Sequence, residues 1–160
     1  MEEINLLELK EDIVETDGRR KLTIKGETKY YVVSRIPLKY LYYNDQNGRI
    51  ATNISKYIDD HGSLNLDDLN SYNDVIHEFI VNSNTQALKD TKKNIKLFGQ
   101  RLPGVVLKNG RIIDGNRRFT CLRELYNEEG KDYYFEAVIL DTDNGISSKD
   151  IKRLELNLQH

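Results

Sequence analysis

The stretch GQRLPGVVLKNGRIIDGNRR, residues 99–118, decides the fold of this chain. It predicts a strand over Val105–Leu107, a tight turn at Asn109-Gly110 and a second strand over Arg111–Ile113, because Asn-Gly between β-branched arms is a strong hairpin signal. A helix is predicted to begin just after Asp114. The same twenty residues therefore contain a hairpin and a strand-to-helix turn.

The strand-to-helix turn has the residues of an anion site. Gly115 is followed by Arg117 and Arg118, where the first N–H groups of the helix point outward and the macrodipole adds about half a positive charge. Guanidinium groups add bidentate donors. Two arginines in a first turn oppose the helix dipole, and a bound anion cancels that cost. We therefore expect a phosphate here.

Simpler structural interpretations of the same residues stay open at this point. Gly115 is also what a sharp backbone turn requires, and adjacent arginines on a helix are often ordinary solvated residues. Asp114 is expected either to cap the helix or to take a catalytic or Mg²⁺-binding role.

The overall charge conceals a strong local asymmetry. The 160 residues carry a formal net charge of −2, and their number suits one domain. The segment Asp59–Glu78 holds six acidic residues and no Lys or Arg, whereas Lys89–Arg118 has a net charge of +7. We expect the basic segment to surround the anion site and the acidic one to form a partner or self-association surface, with a homodimer as one such partner.

Other chemistry-bearing residues are few. Cys121, the only cysteine, excludes an internal disulfide and is expected to be a small core residue. His61, His77 and His160 lack the spacing of zinc ligands, so no metal site is predicted. No signal peptide or apolar run of membrane length is present, and the chain is interpreted as cytoplasmic with no membrane partner.

The region before the anion site predicts a hairpin and three helices. Strand arms are expected over Lys21–Ile24 and Tyr30–Val33 around a four-residue turn at positions 25–28, with Pro37 ending the second strand. Helical spacing of apolar residues then gives a helix ending at Gly62. The next helix, which contains Leu69 and Ile80, is expected to be capped by Asn65 or Asp67, and a third covers Thr85–Leu97 and stops at Gly99.

The region after it predicts a helix, a strand and a final helix. Phe119, Leu122, Leu125 and Tyr126 define the apolar face of a helix that stops near Gly130. A strand follows over Tyr133–Leu140. Residues 147–150, Ser-Ser-Lys-Asp, have the pattern of a capping box before the last helix.

The order of the motifs carries a family resemblance. Ile36-Pro37, Gly99-Gln100, Pro103-Gly104-Val105-Val106 and the segment Ile112–Arg118 together resemble the N-terminal domain of the ParB and sulfiredoxin superfamily. That resemblance implies an α+β fold, with a small mixed β-sheet and flanking helices, in one domain over residues 1–160. The helices at about 50–98 would be an insertion, and the chain would be the N-terminal part of a longer protein.

The resemblance also implies a function. Such a domain binds the phosphates of a nucleotide, CTP or ATP, with Mg²⁺, and serves as a DNA-associated regulatory or partition-type module. Arg49 is a further candidate for the site. The residues expected to bind the nucleotide are Gly99, Gln100, Gly115, Asn116, Arg117, Arg118, Asn157 and Gln159.

Departures from the family pattern narrow this expectation. Asn116 stands where sulfiredoxin has its catalytic cysteine, which removes sulfinic acid reduction, and where the commonest phosphate loop has Glu. Leu156 and His160 stand where the family's third nucleotide motif usually has Glu and Arg. We therefore expect nucleotide binding with weak or no hydrolysis.

Two other functions remain open on the sequence. The basic face could bind or cut DNA, as a ParB-like nuclease domain would, although no helix-turn-helix or carboxylate cluster is evident. A resemblance to a free-serine kinase would make Asp114 the residue that orients an acceptor hydroxyl during phosphoryl transfer.

Overall fold

The computed structural model describes residues 3–46 and 48–158, and its first feature is a long hairpin. Strands β1 (Val14–Ile24) and β2 (Glu27–Pro37) meet at a two-residue turn. Both turn residues have positive φ, 56° at Lys25 and 74° at Gly26, as a type I′ turn requires. The predicted four-residue turn and short strands were therefore wrong, because a two-residue turn lets the two strands pair right up to the turn. The end of β2 at Pro37 is confirmed.

Three helices follow, as predicted: α1 (Ala51–His61), α2 (Leu69–Ser83) and α3 (Thr85–Phe98). Gly62 and Gly99 follow α1 and α3 with φ of 96° and 77°, which confirms both as helix stops.

The cap predicted for α2 was wrong. Asp68 is the N-cap, since its carboxylate accepts bonds from the backbone N–H of Ser71 at 3.2 Å and from the Ser71 hydroxyl at 2.9 Å. Asn65 instead accepts from the N–H of Asp67, two residues on, and forms a local turn before the helix.

The second half of the chain contains the elements that position the site. They are β3 (Gly104–Leu107), β4 (Ile112–Asp114), α4 (Asn116–Glu129), β5 (Tyr134–Leu140) and α5 (Ser148–Leu158). The hairpin, the helix and the last strand were predicted within two residues of these bounds, and the final helix begins where its start was predicted.

Two local predictions in this half had different outcomes. The capping box is confirmed: the Ser147 hydroxyl accepts from the N–H of Asp150 at 3.2 Å, and the Asp150 carboxylate accepts from the N–H of Ser147 at 2.9 Å. Tyr126 was wrongly placed on the apolar face of α4, because its side chain is 48% exposed.

The strands form one mixed sheet in the order β1-β2-β5-β3-β4. β5 pairs antiparallel with β2 and parallel with β3, and the neighbouring pairs β1-β2 and β3-β4 are antiparallel. Alternating strand residues point to opposite faces, so the sheet has two cores. The α+β class and the small mixed sheet predicted from the sequence are confirmed.

Helices cover both faces of the sheet. Phe119 of α4, Ile76 of α2 and Ile36 of β2 belong to one apolar cluster, and Leu154 of α5 belongs to the other with Val138 of β5. Since α1, α2 and α3 contribute to the same core as α4 and the sheet, the helical segment is packed into the fold. In the described residues, no helix is both long and apolar enough to cross a membrane.

Candidate functional site

A polar cleft of about 620 Å³ lies where β4 gives way to α4. It is lined by residues from β1, the loop before α1, α2, the β4-α4 turn and α5. They are Arg20, Asn44, Gly48, Arg49, Ile80, Ser83, Leu102, Ile113, Asp114, Gly115, Asn116, Arg117, Arg118, Asn157 and Leu158. We refer to it below as the arginine cleft.

Gly115 is the residue that opens α4 toward this cleft. It is the N-cap, with φ 113° and ψ 21°, and it has no side chain to bond the first helical N–H groups. A Cβ here would lie 2.7 Å from Cζ of Phe135, so both the conformation and the space require glycine. The prediction that Asp114 caps the helix was wrong, because Asp114 still belongs to β4.

Asp114 instead binds two arginines. Its Oδ2 accepts from Nη1 of Arg20 at 2.7 Å and from Nη2 of Arg118 at 3.2 Å. Arg20 also donates to the carbonyl oxygen of Pro103 at 2.5 Å, which ties β1 to the segment before β3. A carboxylate held this way orients guanidinium groups and is poorly placed to accept a substrate proton.

Arg20 is a site residue that the sequence analysis missed. It lies 94 residues before Asp114 in an edge strand and belongs to no motif. No sequence signal identified it, because the predicted strand began one residue later, at Lys21.

The cleft is strongly positive. Four arginines and one carboxylate line it, which gives a net charge of +3. Burial lowers the pKa of Arg118, and Arg20 and Arg117 lower it further while Asp114 opposes them. A bound anion would relieve this repulsion, because it favours the charged form of each guanidinium.

Two buried atoms of the cleft residues have no partner among the described residues: Asn116 Oδ1 and Arg118 Nε. Asn116 is only 9% exposed, and its Nδ2 donates to the carbonyl oxygen of Asn44 at 3.3 Å, which leaves its Oδ1 on the other side. Leaving a buried polar group without a partner costs about 1–3 kcal/mol. Both atoms belong to residues that line the arginine cleft, so the hydrogen-bonding capacity of this region is not fully satisfied among the described residues.

A chain of buried polar groups connects the cleft to α5. Asn44, 2% exposed, accepts from Arg111 Nη2 at 2.8 Å through its Oδ1. Arg111 Nη1 in turn lies 3.2 Å from Oε1 of the buried Glu155. This chain fixes α5, and with it Asn157, against the loop that carries Asn44.

Most of the residues predicted to bind the nucleotide meet in this cleft, and two do not. Gly115, Asn116, Arg117, Arg118, Asn157 and Arg49 all line it. Gly99 and Gln100 are not among its lining residues. Gln159 lies outside the described residues.

Gln100 has a structural role instead. Its Oε1 accepts from the N–H of Glu136 at 2.8 Å, and its Nε2 donates to the carbonyl oxygens of Glu136 at 2.8 Å and Leu102 at 3.1 Å. The amide thus bonds the β5 backbone one residue before Ala137 pairs with Gly104.

The predicted positive segment is largely neutralised by ion pairs. Five of its basic residues form ion pairs with acidic residues: Lys92, Lys96, Lys108, Arg111 and Arg118. The partner of Arg118, Asp114, belongs to the segment itself, and the partners of the other four lie outside it. The cleft's charge comes from four arginines of which only Arg117 and Arg118 belong to that segment. In the acidic segment, Asp68 caps α2 and Asp74 pairs with Arg123 at 2.8 Å.

Cys121 is confirmed as a core residue. Its side chain is buried, its Sγ lies 3.5 Å from the carbonyl oxygen of Leu88, and burial raises its pKa to about 12. Across residues 3–46 and 48–158, no three His, Cys, Asp or Glu side chains gather into a group that could hold a metal ion.

Comparison of the chain with protein-family models, with curated proteins and with solved structures found no match.

Proposed function

We propose that this chain binds the phosphates of a nucleoside triphosphate, CTP or ATP, at the N-terminus of α4. The observation that carries the proposal is the uncapped start of α4 at Gly115, set among four arginines in a cleft that retains the buried, unpartnered atoms of Asn116 and Arg118. Helix N–H groups and guanidinium forks together are typical of phosphate sites.

The roles of the residues follow from their positions. Arg117 projects from the first turn into the cleft and would contact phosphate oxygens directly. Arg118 is fixed by Asp114 and would contribute its positive charge to the phosphate site. Asn157, on α5, would reach the same ligand from the opposite wall.

Whether the cleft itself can coordinate Mg²⁺ depends on the oxygen atoms of its lining residues. The lining holds one carboxylate, Asp114, and Oδ2 of that group is engaged by two guanidinium groups. Mg²⁺ would therefore be held by the nucleotide's own phosphates and by water. When bound, the ion would screen charge between the phosphates.

The proposal concerns binding, with weak or no hydrolysis, in a cytoplasmic ParB-like module. Asp114 makes a poor general base while Arg20 and Arg118 hold it, which disfavours the kinase alternative. The neutralisation of much of the basic segment likewise disfavours a broad DNA-binding face.

Isothermal titration calorimetry with CTP, ATP, GTP and inorganic triphosphate, each with Mg²⁺, tests the proposal. Arg117→Gln should weaken the binding at least about tenfold, because it removes a charge-assisted contact. Lys93→Gln is the matched control: it removes the same charge from an exposed position of α3 outside the cleft lining and should leave the dissociation constant unchanged.

The proposal fails if none of the four ligands gives a binding heat at sub-millimolar concentration. A DNA fragment added to the same chain provides the second arm. Salt-dependent retardation of DNA without nucleotide binding would replace the proposal with the nucleic-acid function.

A further inference from the structure

A second cleft adjoins the arginine cleft and belongs to the helical segment. It measures about 690 Å³ and is lined by Arg49, Asn53, Asn82, Ser83, Asn84 and Arg117. Three of these residues, Arg49, Ser83 and Arg117, also line the arginine cleft. The two clefts therefore adjoin at these three residues, and we call them together the joint groove.

The corner between α2 and α3 builds the far wall of this groove. Asn84 ends α2 and caps α3 at once, with its Oδ1 accepting from the N–H of Ala87 at 3.0 Å. Ser83 donates to the carbonyl oxygen of Ile80 at 2.8 Å. The corner is thus fixed by local bonds, and Asn82, in the last turn of α2, lines the cleft there.

The chemistry of the groove changes along its length. The arginine cleft has a net charge of +3, whereas the residues that belong to the second cleft alone, Asn53, Asn82 and Asn84, are uncharged carboxamides. The side chains of Asn53 and Asn82 are exposed and have no hydrogen bond to other described residues. Each carboxamide offers two donors and one acceptor oxygen.

A nucleoside triphosphate has the matching distribution. Its phosphates carry all of the negative charge, and its sugar and base are neutral groups rich in hydrogen-bond donors and acceptors. Carboxamides pair with base edges and hydroxyls, and guanidinium groups pair with phosphates. Arg117 lies at the boundary, where the phosphates would end.

We infer that the second cleft holds the nucleoside half of the ligand, and that Asn53 and Asn82 determine which base is preferred. This inference depends on the proposed function, since it assigns a position to the remainder of the same ligand. The helical segment at 50–98 then supplies base selectivity, and the β4-α4 turn supplies phosphate affinity.

The test compares inorganic triphosphate with CTP, ATP and GTP by calorimetry on the full chain with Mg²⁺. The chain should bind one of the nucleotides at least about tenfold more tightly than inorganic triphosphate, a gain of about 1.4 kcal/mol. The Asn53→Ala/Asn82→Ala variant should reduce that advantage to about threefold or less while leaving the dissociation constant of inorganic triphosphate unchanged.

Asn94→Ala is the matched control, because Asn94 is an exposed amide of α3 that lies outside both cleft linings. It should keep the full nucleotide advantage. Thermal unfolding of each variant verifies that these exposed substitutions preserve the fold.

Four results would overturn the inference. If the double variant weakens inorganic triphosphate as much as nucleotides, the second cleft holds phosphates. If inorganic triphosphate and all nucleotides bind equally to the unsubstituted chain, or if the double variant keeps the nucleotide advantage, the amides contribute no selectivity while the proposed function stands. If nothing binds at all, the proposed function itself fails.

Discussion

Two arginines of α4, five residues apart, have opposite environments. Arg123 bonds the carbonyl oxygen of Asn73 at 3.2 Å, Nδ1 of His77 at 2.8 Å and Oδ1 of Asp74 at 2.8 Å. Arg118 has one carboxylate, shared with Arg20, and a buried Nε–H without an acceptor in the described part of the chain.

The difference separates a group that stabilises the fold from one suited to a ligand. Arg123 joins α2 to α4 through three bonds to acceptors of α2, and such polar networks help to specify a fold. Arg118 lies in a site of net positive charge. Burial and the neighbouring arginines disfavour the charged form of its guanidinium group and lower its pKa. Proteins keep such unsatisfied groups where a ligand completes them.

The largest effect is expected from Gly115→Ala. The residue would keep a φ of 113° and bring its Cβ within 2.7 Å of Phe135 Cζ, so strain and clash together should lower the free energy of unfolding by about 3 kcal/mol. Urea denaturation measures this change. The binding of inorganic triphosphate should be lost as well, because the start of α4 must shift.

Gly130→Ala is the control at the other end of the same helix. Gly130 also has positive φ, 68°, but nothing lies within 4 Å of the position of its Cβ. Its substitution should cost only about 1 kcal/mol and leave binding intact. Equal losses for the two variants would show that the contact with Phe135 is unimportant.

Arg118→Met and Arg123→Met should have crossed effects. Arg118→Met should weaken triphosphate binding about 30-fold, or about 2 kcal/mol, and change the free energy of unfolding by less than about 1 kcal/mol. Arg123→Met should lower the free energy of unfolding by about 2 kcal/mol, because it takes the closest donor from the buried His77 Nδ1 and removes the bonds that join α2 to α4, while binding is unchanged.

Calorimetry and urea denaturation on both variants measure the two quantities. Methionine retains the apolar stem of each arginine, so the comparison isolates the guanidinium group. Parallel losses of stability in the two variants, without loss of binding in Arg118→Met, would contradict the distinction between the arginines.

A smaller effect is expected from pH, through His77 in the network of Arg123. Burial lowers the pKa of His77 from its ordinary value of 6.5, Arg123 lowers it further, and Glu124 opposes both. Since Arg123 donates to Nδ1, the neutral ring carries its proton on Nε2, 3.4 Å from Glu124.

The direction of the pH effect follows from that shift. Below about pH 6.5 the unfolded chain binds a proton that the folded chain resists, so stability is complete above this value and falls as the pH drops toward the folded-state pKa. Urea midpoints between about pH 7.5 and 5.5 should record this fall. His77→Gln should flatten the profile in this window, and an unchanged slope would exclude His77 as its cause.

The fold was predictable where a local pattern determines it. Asn109-Gly110 located the β3-β4 hairpin, and the Ser147 and Asp150 capping box located the start of α5. The β1-β2 turn was misjudged because Lys25 has a φ of 56°, which no residue-type rule assigns to lysine.

The site was predictable where its residues are neighbours in sequence. Gly115, Arg117 and Arg118 were found through the strand-to-helix turn. Arg20 and the Asn44 backbone carbonyl, far away in sequence, meet the β4-α4 turn only because β1 and the loop before α1 fold against β4 and α4. The converse error was Gln100, whose adjacency to the motif suggested a ligand although its amide bonds the β5 backbone.

The smallest predicted effect concerns Arg20, which meets the arginine cleft through Asp114. Arg20→Lys keeps the positive charge but cannot bond Asp114 and the Pro103 carbonyl with the same planar group, so the carboxylate would hold Arg118 less firmly. Triphosphate binding should weaken about threefold, which is about 0.6 kcal/mol. Arg19→Lys, at the adjacent exposed position, should have no effect because Arg19 bonds the nearby carbonyls of Thr16 and Gly18 and does not line the arginine cleft. If Arg20→Lys weakens binding as much as Arg118→Met does, Arg20 contacts the ligand directly. Its role would then go beyond holding Asp114 and the Pro103 carbonyl.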